Sequence, residues 1–303
     1  MATIHMKTII LTLLATLSVQ WVAAQAFALP WIGASVATGD QQLWFRHNYF
    51  FDKTPKTLFI QLASTGSYNL YVNQYNVSRN VLLPFRSDKE RSLPAEQTFD
   101  LTPYLRSDTN TVAVWYAPAT SHKCDGEPQI AASIFGTDEE GNAISYTTSR
   151  DWLWSYANAS HSCIDATAFR TDWNAATHTI IPWTTVEPTS APHERMSSAS
   201  YRYRRVTQVY TPIWKQVTKD SLRAGFPTTV NGWIRITLRE TQPGERIVVN
   251  GLTYICSGTM DEQVCRRFST ETTKEVTITG DKWFKPGQVQ NIEGLMIEEF
   301  GEE

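Results

Sequence analysis

The side chains best suited to chemistry are four cysteines, Cys124, Cys163, Cys256 and Cys265. Six histidines are scattered along the chain, and His122 and His161 each stand two residues before a cysteine. Thiolate and imidazole together could ligate a metal, but neither a CxxC nor a nearby HxxxH accompanies them, so no metal and no cofactor is expected. In an oxidising compartment an even cysteine count favours disulfides. Four cysteines allow three pairings; the pattern favoured here is Cys124–Cys163 with Cys256–Cys265, one bridge in each half, with free buried thiols as the alternative. Cleaving a glycosidic bond would need two carboxyl groups facing each other. The 30 Asp and Glu nominate no such pair. Asp138-Glu139-Glu140 stands in a turn sequence, and Glu298, Glu299, Glu302 and Glu303 form an acidic tail. No GxSxG elbow, phosphate-binding glycine loop or EF-hand loop occurs, so no catalytic residue set is recognised.

Aromatic residues are abundant, with 11 Trp, 12 Tyr and 13 Phe. An exposed ring can stack on the apolar face of a sugar while polar neighbours satisfy its hydroxyls. Trp152 and Trp154 have the same parity and share a face if they lie on one strand. Trp152, Trp154 and Tyr156 are the candidate sugar platform, with Trp173 and Trp183 as second choices. Packing in a core is the competing use of each tryptophan.

Strands would have to position these groups. Helical periodicity is almost absent beyond the first 26 residues. Short alternating or β-branched runs occur at 57–62, 68–72, 111–116, 143–147, 206–210, 233–239, 246–249 and 275–279. Turn chemistry separates them at Thr65-Gly66, Glu140-Gly141-Asn142, Pro243-Gly244, Asn250-Gly251 and Pro286-Gly287. Gly66 suits a turn that needs positive φ. Tyr68, Leu70 and Val72 should share one sheet face and Asn69 and Tyr71 the other. Asp100 can accept a backbone N–H in the turn that follows it.

Lys7, the apolar run 9–17 and the small residues Ala23, Ala24 and Ala26 have the order of a secretory signal over residues 1–26, with cleavage near Ala24 or Ala26. The chain is therefore expected to be secreted, periplasmic or on the cell surface. That apolar run is shorter than the roughly 20 residues of a spanning helix, and no membrane span is expected. A net charge of −3 makes nucleic acid an unexpected partner. Residues 187–200, with Pro188 and Pro192, read as an exposed linker between domains at 27–186 and 201–303. Beyond it Arg202, Arg204 and Arg205 alternate with Tyr201 and Tyr203, either as a solvated strand face or as a contact for an acidic glycan.

An ordered series of segments resembles the N-terminal region of bacterial α-L-rhamnosidases. It comprises Trp31-Ile32-Gly33-Ala34, then Leu43-Trp44-Phe45-Arg46 and Phe50, and Gly66-Ser67-Tyr68-Asn69-Leu70-Tyr71-Val72-Asn73. Leu82-Leu83-Pro84, the run 99–105, Asn110-Thr111-Val112-Ala113-Val114, Ser149-Arg150-Asp151-Trp152 and the segment 165–170 follow in the family's order. Asn231-Gly232-Trp233-Ile234-Arg235-Ile236 with Pro243-Gly244 is similar to a strand and turn of the next sandwich. The resemblance implies an all-β fold of two tandem antiparallel β-sandwich domains, of jelly-roll, galactose-binding-like type. In the family these domains precede an (α/α)6 barrel that carries the catalytic carboxylates. With Glu303 following the second sandwich directly, the chain is expected not to be an enzyme. The loop 117–124 departs from the family's "GnGWY" pattern, so no ligand contact of that loop carries over.

The expected function is a secreted, non-catalytic carbohydrate-binding or accessory protein of glycan utilisation. Its expected partners are a glycan or oligosaccharide, with rhamnose as a constituent, and a glycosidase. The alternatives are a protein-docking module that binds no sugar and a glycoside hydrolase with an unrecognised site.

Overall fold

The computed structural model describes residues 29–301 except 36–38, 87–89, 91–92, 120–127, 178–180, 194–195 and 198–201. The expected signal segment 1–26, His122 and Cys124 lie outside the described residues. Every run read as a strand from its alternation lies within one, save that the run 233–239 overshoots its strand by Arg239, and no α-helix occurs among the described residues.

The first sandwich is built from two sheets. One contains β1 (Trp31–Gly33), β3 (Thr57–Ser64), β6 (Ala95–Asp100), β8 (Gln129–Thr137), β9 (Ala143–Thr147) and β13 (Glu187–Thr189). Its order is β13-β1-β8-β3-β6, with β9 also on β8. The facing sheet contains β2 (Gln41–Phe51), β4 (Ser67–Val72), β5 (Tyr75–Asn76), β7 (Asp108–Ala117), β10 (Leu153–Ser160) and β12 (Thr184–Thr185). Here the order is β10-β2-β7-β4-β5, with β12 on the outside of β10.

Alternation decides what each face carries. Leu43 and Phe45 of β2, Leu70 and Val72 of β4 and Val112 and Val114 of β7 point inward. They meet Leu58, Ile60 and Leu62 of β3 and Ile130 and Ile134 of β8 in one core. Tyr68 joins them fully buried, and Asn69 and Tyr71 lie half-buried on the opposite face, as their parity requires. The outer face of this sheet is also apolar: Trp44, Ala113, Trp115 and Ala157 form a second cluster. Such a face must be covered. The segment after Asp165 crosses it, laying Phe169, Trp173 and Trp183 on the sheet. Phe268, from the second sandwich, completes the cluster.

The second sandwich is organised by one long strand, β16 (Ser221–Leu238). Its first half pairs with β15 (Ile213–Thr218) and β20 (Glu271–Gly280), its second with β19 (Glu262–Cys265) and β21 (Val289–Phe300). Gly232 is the crossing point, paired with Glu271 of β20 and Met296 of β21. A Cβ there would lie 2.0 Å from the Leu295 carbonyl oxygen, so only glycine lets the strands approach this closely. β14 (Tyr203–Tyr210) borders β21, while β17 (Arg246–Val249) and β18 (Leu252–Ile255) continue from β20. Ile234, Ile236 and Leu238 point into the core between these layers.

The short strand β11 (Cys163–Asp165) ties the two sandwiches together. It pairs antiparallel with β10 and parallel with β18, so one hydrogen-bonded path runs through both.

Several expectations are corrected. Cys163, Cys256 and Cys265 are free thiols, so the Cys256–Cys265 bridge does not form; the expected partner of Cys163, Cys124, lies outside the described residues. The cause in the second sandwich is strand parity. Cys256 is buried in the core, where Val264 also points, so the adjacent Cys265 is sent to the opposite face. The segment expected as a linker is partly sewn to the first sandwich: Glu187–Thr189 pairs with β1, and the Ser197 N–H donates to the Pro94 carbonyl at 2.8 Å. An unpaired edge of β1 would otherwise remain open. Gly66 is required by a close approach and not by positive φ, since a Cβ there would lie 2.1 Å from the Ala117 carbonyl oxygen.

Candidate functional site

The outer face of the first sandwich and the β16–β21 layer of the second do not close on each other completely. Between them lies a cleft of about 590 Å³. Asn69 and Trp115 contribute from β4 and β7, and Trp233 and Arg235 from β16. Both pairs project outward because their neighbours Leu70, Val114 and Ile234 occupy the cores. The crossing segment adds Thr167, Phe169 and Thr171, while β19 and its following turn add Gln263, Cys265, Arg266 and Arg267.

The walls are held firmly. Trp115 is buried, donates its indole N–H to Gln42 Oε1 at 2.9 Å, and packs edge-on against Trp44 at 6.0 Å. Trp233 is half-buried and donates from Nε1 to the Ser269 carbonyl at 3.0 Å. Arg235 donates to Glu293 Oε2 at 2.6 Å. Arg266 donates to the carbonyls of His161 at 2.7 Å and Asn250 at 3.2 Å, bridging the two sandwiches. Arg267 lies over the Trp115 ring, its guanidinium carbon 4.5 Å from the ring centroid.

Beneath the cleft, the buried Glu262 carboxylate accepts from the Thr241 and Tyr254 hydroxyls and from the N–H groups of Ser257 and Gly258, at 2.6–3.0 Å. Glu245, the other buried carboxylate of this sandwich, accepts from the Gln242 N–H at 2.8 Å and Gln288 Nε2 at 3.1 Å. These bonds fix turns, and neither carboxylate is presented across the cleft to a second one as hydrolysis would need. Burial pushes the Cys265 thiol up to about 11, so at neutral pH it lines the cleft as a protonated thiol.

The preferred tryptophans fall elsewhere. Trp152 and Trp154 are buried in the first core, Trp152 stacked on His47 at 6.0 Å. Trp173 is buried and stacked on Trp44 at 5.1 Å. Trp183 is half-buried under the Arg46 guanidinium, whose carbon lies 5.3 Å from the ring centroid. Tyr156 alone of the five is exposed, at a smaller groove of about 380 Å³ that Trp154 and Arg170 also line. Alternation along the crossing segment separates the two concavities, sending Ala168 and Arg170 to this groove and Thr167, Phe169 and Thr171 to the cleft. The basic run after residue 200 is already matched: Arg202 and Arg204 meet Glu299 at 3.1 and 3.5 Å, and Arg205 donates to Asn80 at 3.2 Å.

Residues 53–208 match the family model for the α-L-rhamnosidase N-terminal domain. The chain belongs to that family. The match begins just before β3 and ends within β14, so this α-L-rhamnosidase N-terminal domain takes in residues 187–200 as well as most of the first sandwich. A search of curated protein sequences returns no match.

Solved structures extend the fold likeness over both sandwiches. The α-L-rhamnosidase from Dictyoglumus thermophilum superposes with a TM-score of 0.77 at 19% identity, covering 89% of this chain and 35% of that one. For the native α-L-rhamnosidase from Aspergillus terreus the values are 0.76, 15%, 90% and 36%. For the Streptomyces avermitilis α-L-rhamnosidase complexed with L-rhamnose they are 0.73, 15%, 85% and 28%. The chain thus spans about a third of the length of these relatives.

Trp115, Phe169, Trp233 and Arg267 were missed as site residues. A signal for two of them was present: Trp233 and Arg235 share parity with an apolar residue between, as do Ala113 and Trp115 around Val114, which marks strands with two occupied faces. Nothing in the sequence brings β7 and β16 to the same cleft.

Proposed function

We propose that this rhamnosidase N-terminal-type chain is a non-catalytic glycan-binding module. It acts outside the cytoplasm in glycan utilisation and holds a sugar in the junction cleft. The observation that carries this reading is the convergence in one concavity of the Phe169 and Trp233 rings with hydrogen-bonding groups of Asn69, Thr171, Gln263 and Arg267. Rings supply stacking area and the polar groups supply selectivity, a combination suited to saccharides. Clefts between domains are common ligand sites. Support for export comes from the signal-like residues 1–26. The relative described as complexed with L-rhamnose makes rhamnose the first sugar to try.

Titration calorimetry with rhamnose and rhamnosylated oligosaccharides tests the proposal. Binding is expected, and Trp233→Ala should weaken it by about ten-fold, the equivalent of one aromatic stacking contact of about 1–1.5 kcal/mol. Silence across a broad glycan panel would overturn it.

One observation favours a second reading, that the chain docks on a protein such as a glycosidase without binding sugar. On β14 and β15, Val206, Val209, Ile213 and Val217 are exposed, Ile213 by 89%. A stoichiometric protein partner from the native extracytoplasmic fraction, together with a silent glycan panel, would select it.

A further inference from the structure

Of the three guanidinium groups that line the junction cleft, two have hydrogen-bonding partners in the protein. Arg235 is paired with Glu293, and Arg266 is spent on two backbone carbonyls. Arg267 is different. It is exposed, and no described residue accepts a hydrogen bond from it or pairs with its charge. Its orientation is nevertheless set by the Trp115 ring, which is itself immobilised by Gln42, Trp44 and Phe268.

The carboxylates Glu262, Glu293 and Asp165 are committed to protein donors. Glu262 accepts four hydrogen bonds, and Glu293 meets Arg235. Asp165 accepts from the backbone N–H and the hydroxyl of Thr167 at 3.0 and 2.6 Å. One cation with a pre-oriented fork of N–H donors is therefore left over, inside a concavity that also offers Asn69, Thr171 and Gln263. A guanidinium held over an indole keeps its N–H donors available to a planar oxyanion, and two parallel N–H···O bonds to a carboxylate are the best match.

We propose that Arg267 makes the junction cleft selective for a carboxylate-bearing sugar, a uronic acid residue within a glycan. The carboxylate lies in the plane of the Arg267 guanidinium, and the ring of the same or the adjacent sugar packs towards Trp233 and Phe169. This inference rests on the glycan-binding reading and adds the charge class of the ligand to it.

The full chain is titrated, following tryptophan fluorescence, with methyl glycosides of galacturonate and glucuronate and of galactose and glucose. Acetate and inorganic sulfate are run as free anions. The uronates are expected to bind about ten-fold to a hundred-fold more tightly than their neutral parents, as for a charge-assisted bidentate pair. That preference should fall as salt is raised and disappear in Arg267→Gln, with Arg267→Lys restoring only a minor part. Sulfate or acetate binding as tightly as the uronates would mark an anion site without sugar recognition and overturn the inference. Equal affinity for charged and neutral sugars in the unmodified protein would overturn it while leaving glycan binding intact. Failure to bind any sugar would overturn both.

Discussion

The three free thiols make the residue scale testable directly. Burial pushes the Cys256 thiol up to about 12 and Cys265 to about 11, from an ordinary value of 9. Both are protonated at pH 8, and the folded protein should resist alkylation at these positions, with reaction appearing only in denaturant. The linkage sign follows from proton counting. Between pH 9 and the folded values, the unfolded chain has lost protons that the native state retains. Stability should therefore fall as pH rises above about 9, and Cys256→Ala should flatten that fall in urea titrations at a series of pH values. Roles confined to neighbouring residues were legible: Asp100 Oδ1 accepts the Thr102 N–H at 2.9 Å, as its turn sequence implies. The tryptophans were not. Parity states that Trp152 and Trp154 share a face but not which face meets the core, and both were already inside it.

At the scale of elements, the segment crossing the outer face of β2 and β7 is held by an unusual staple. Arg46 is almost fully buried and donates to the Trp173 carbonyl at 3.1 Å and to Asn48 Oδ1 at 2.9 Å. Asn48 in turn donates to the Ala176 carbonyl at 3.3 Å. Burial pulls the guanidinium down to about 10, which still leaves it cationic at neutral pH. Arg46→Met keeps much of the volume and removes the donors. It should cost about 2–4 kcal/mol, the scale of charged hydrogen bonds lost from a buried site. Hydrogen exchange should show faster opening confined largely to 166–177, with the inner core unchanged. Strand positions were readable because alternation is local chemistry. The crossing segment has little periodicity of its own, and its path is set by an apolar outer face that needs cover.

For the whole molecule, the two sandwiches share a hydrogen-bonded strand path and an aromatic seam. Phe268 of the second sandwich is buried against Trp115 of the first, with ring centroids 6.1 Å apart. Calorimetry should therefore record one cooperative unfolding transition. Phe268→Ala should remove about 3–5 kcal/mol of packing and split that transition into two. The sequence by itself determined the all-β class, the positions of most strands and the family likeness of the first sandwich. Each of these depends on residue parity and turn chemistry within a few positions. Tertiary structure alone decided that Cys256 and Cys265 face opposite ways, that the favoured tryptophans are interior, and that Trp115, Trp233 and Arg267 surround one cleft. Those outcomes depend on which strand faces meet a core or a neighbouring sandwich, a relation between separate strands that no local pattern encodes.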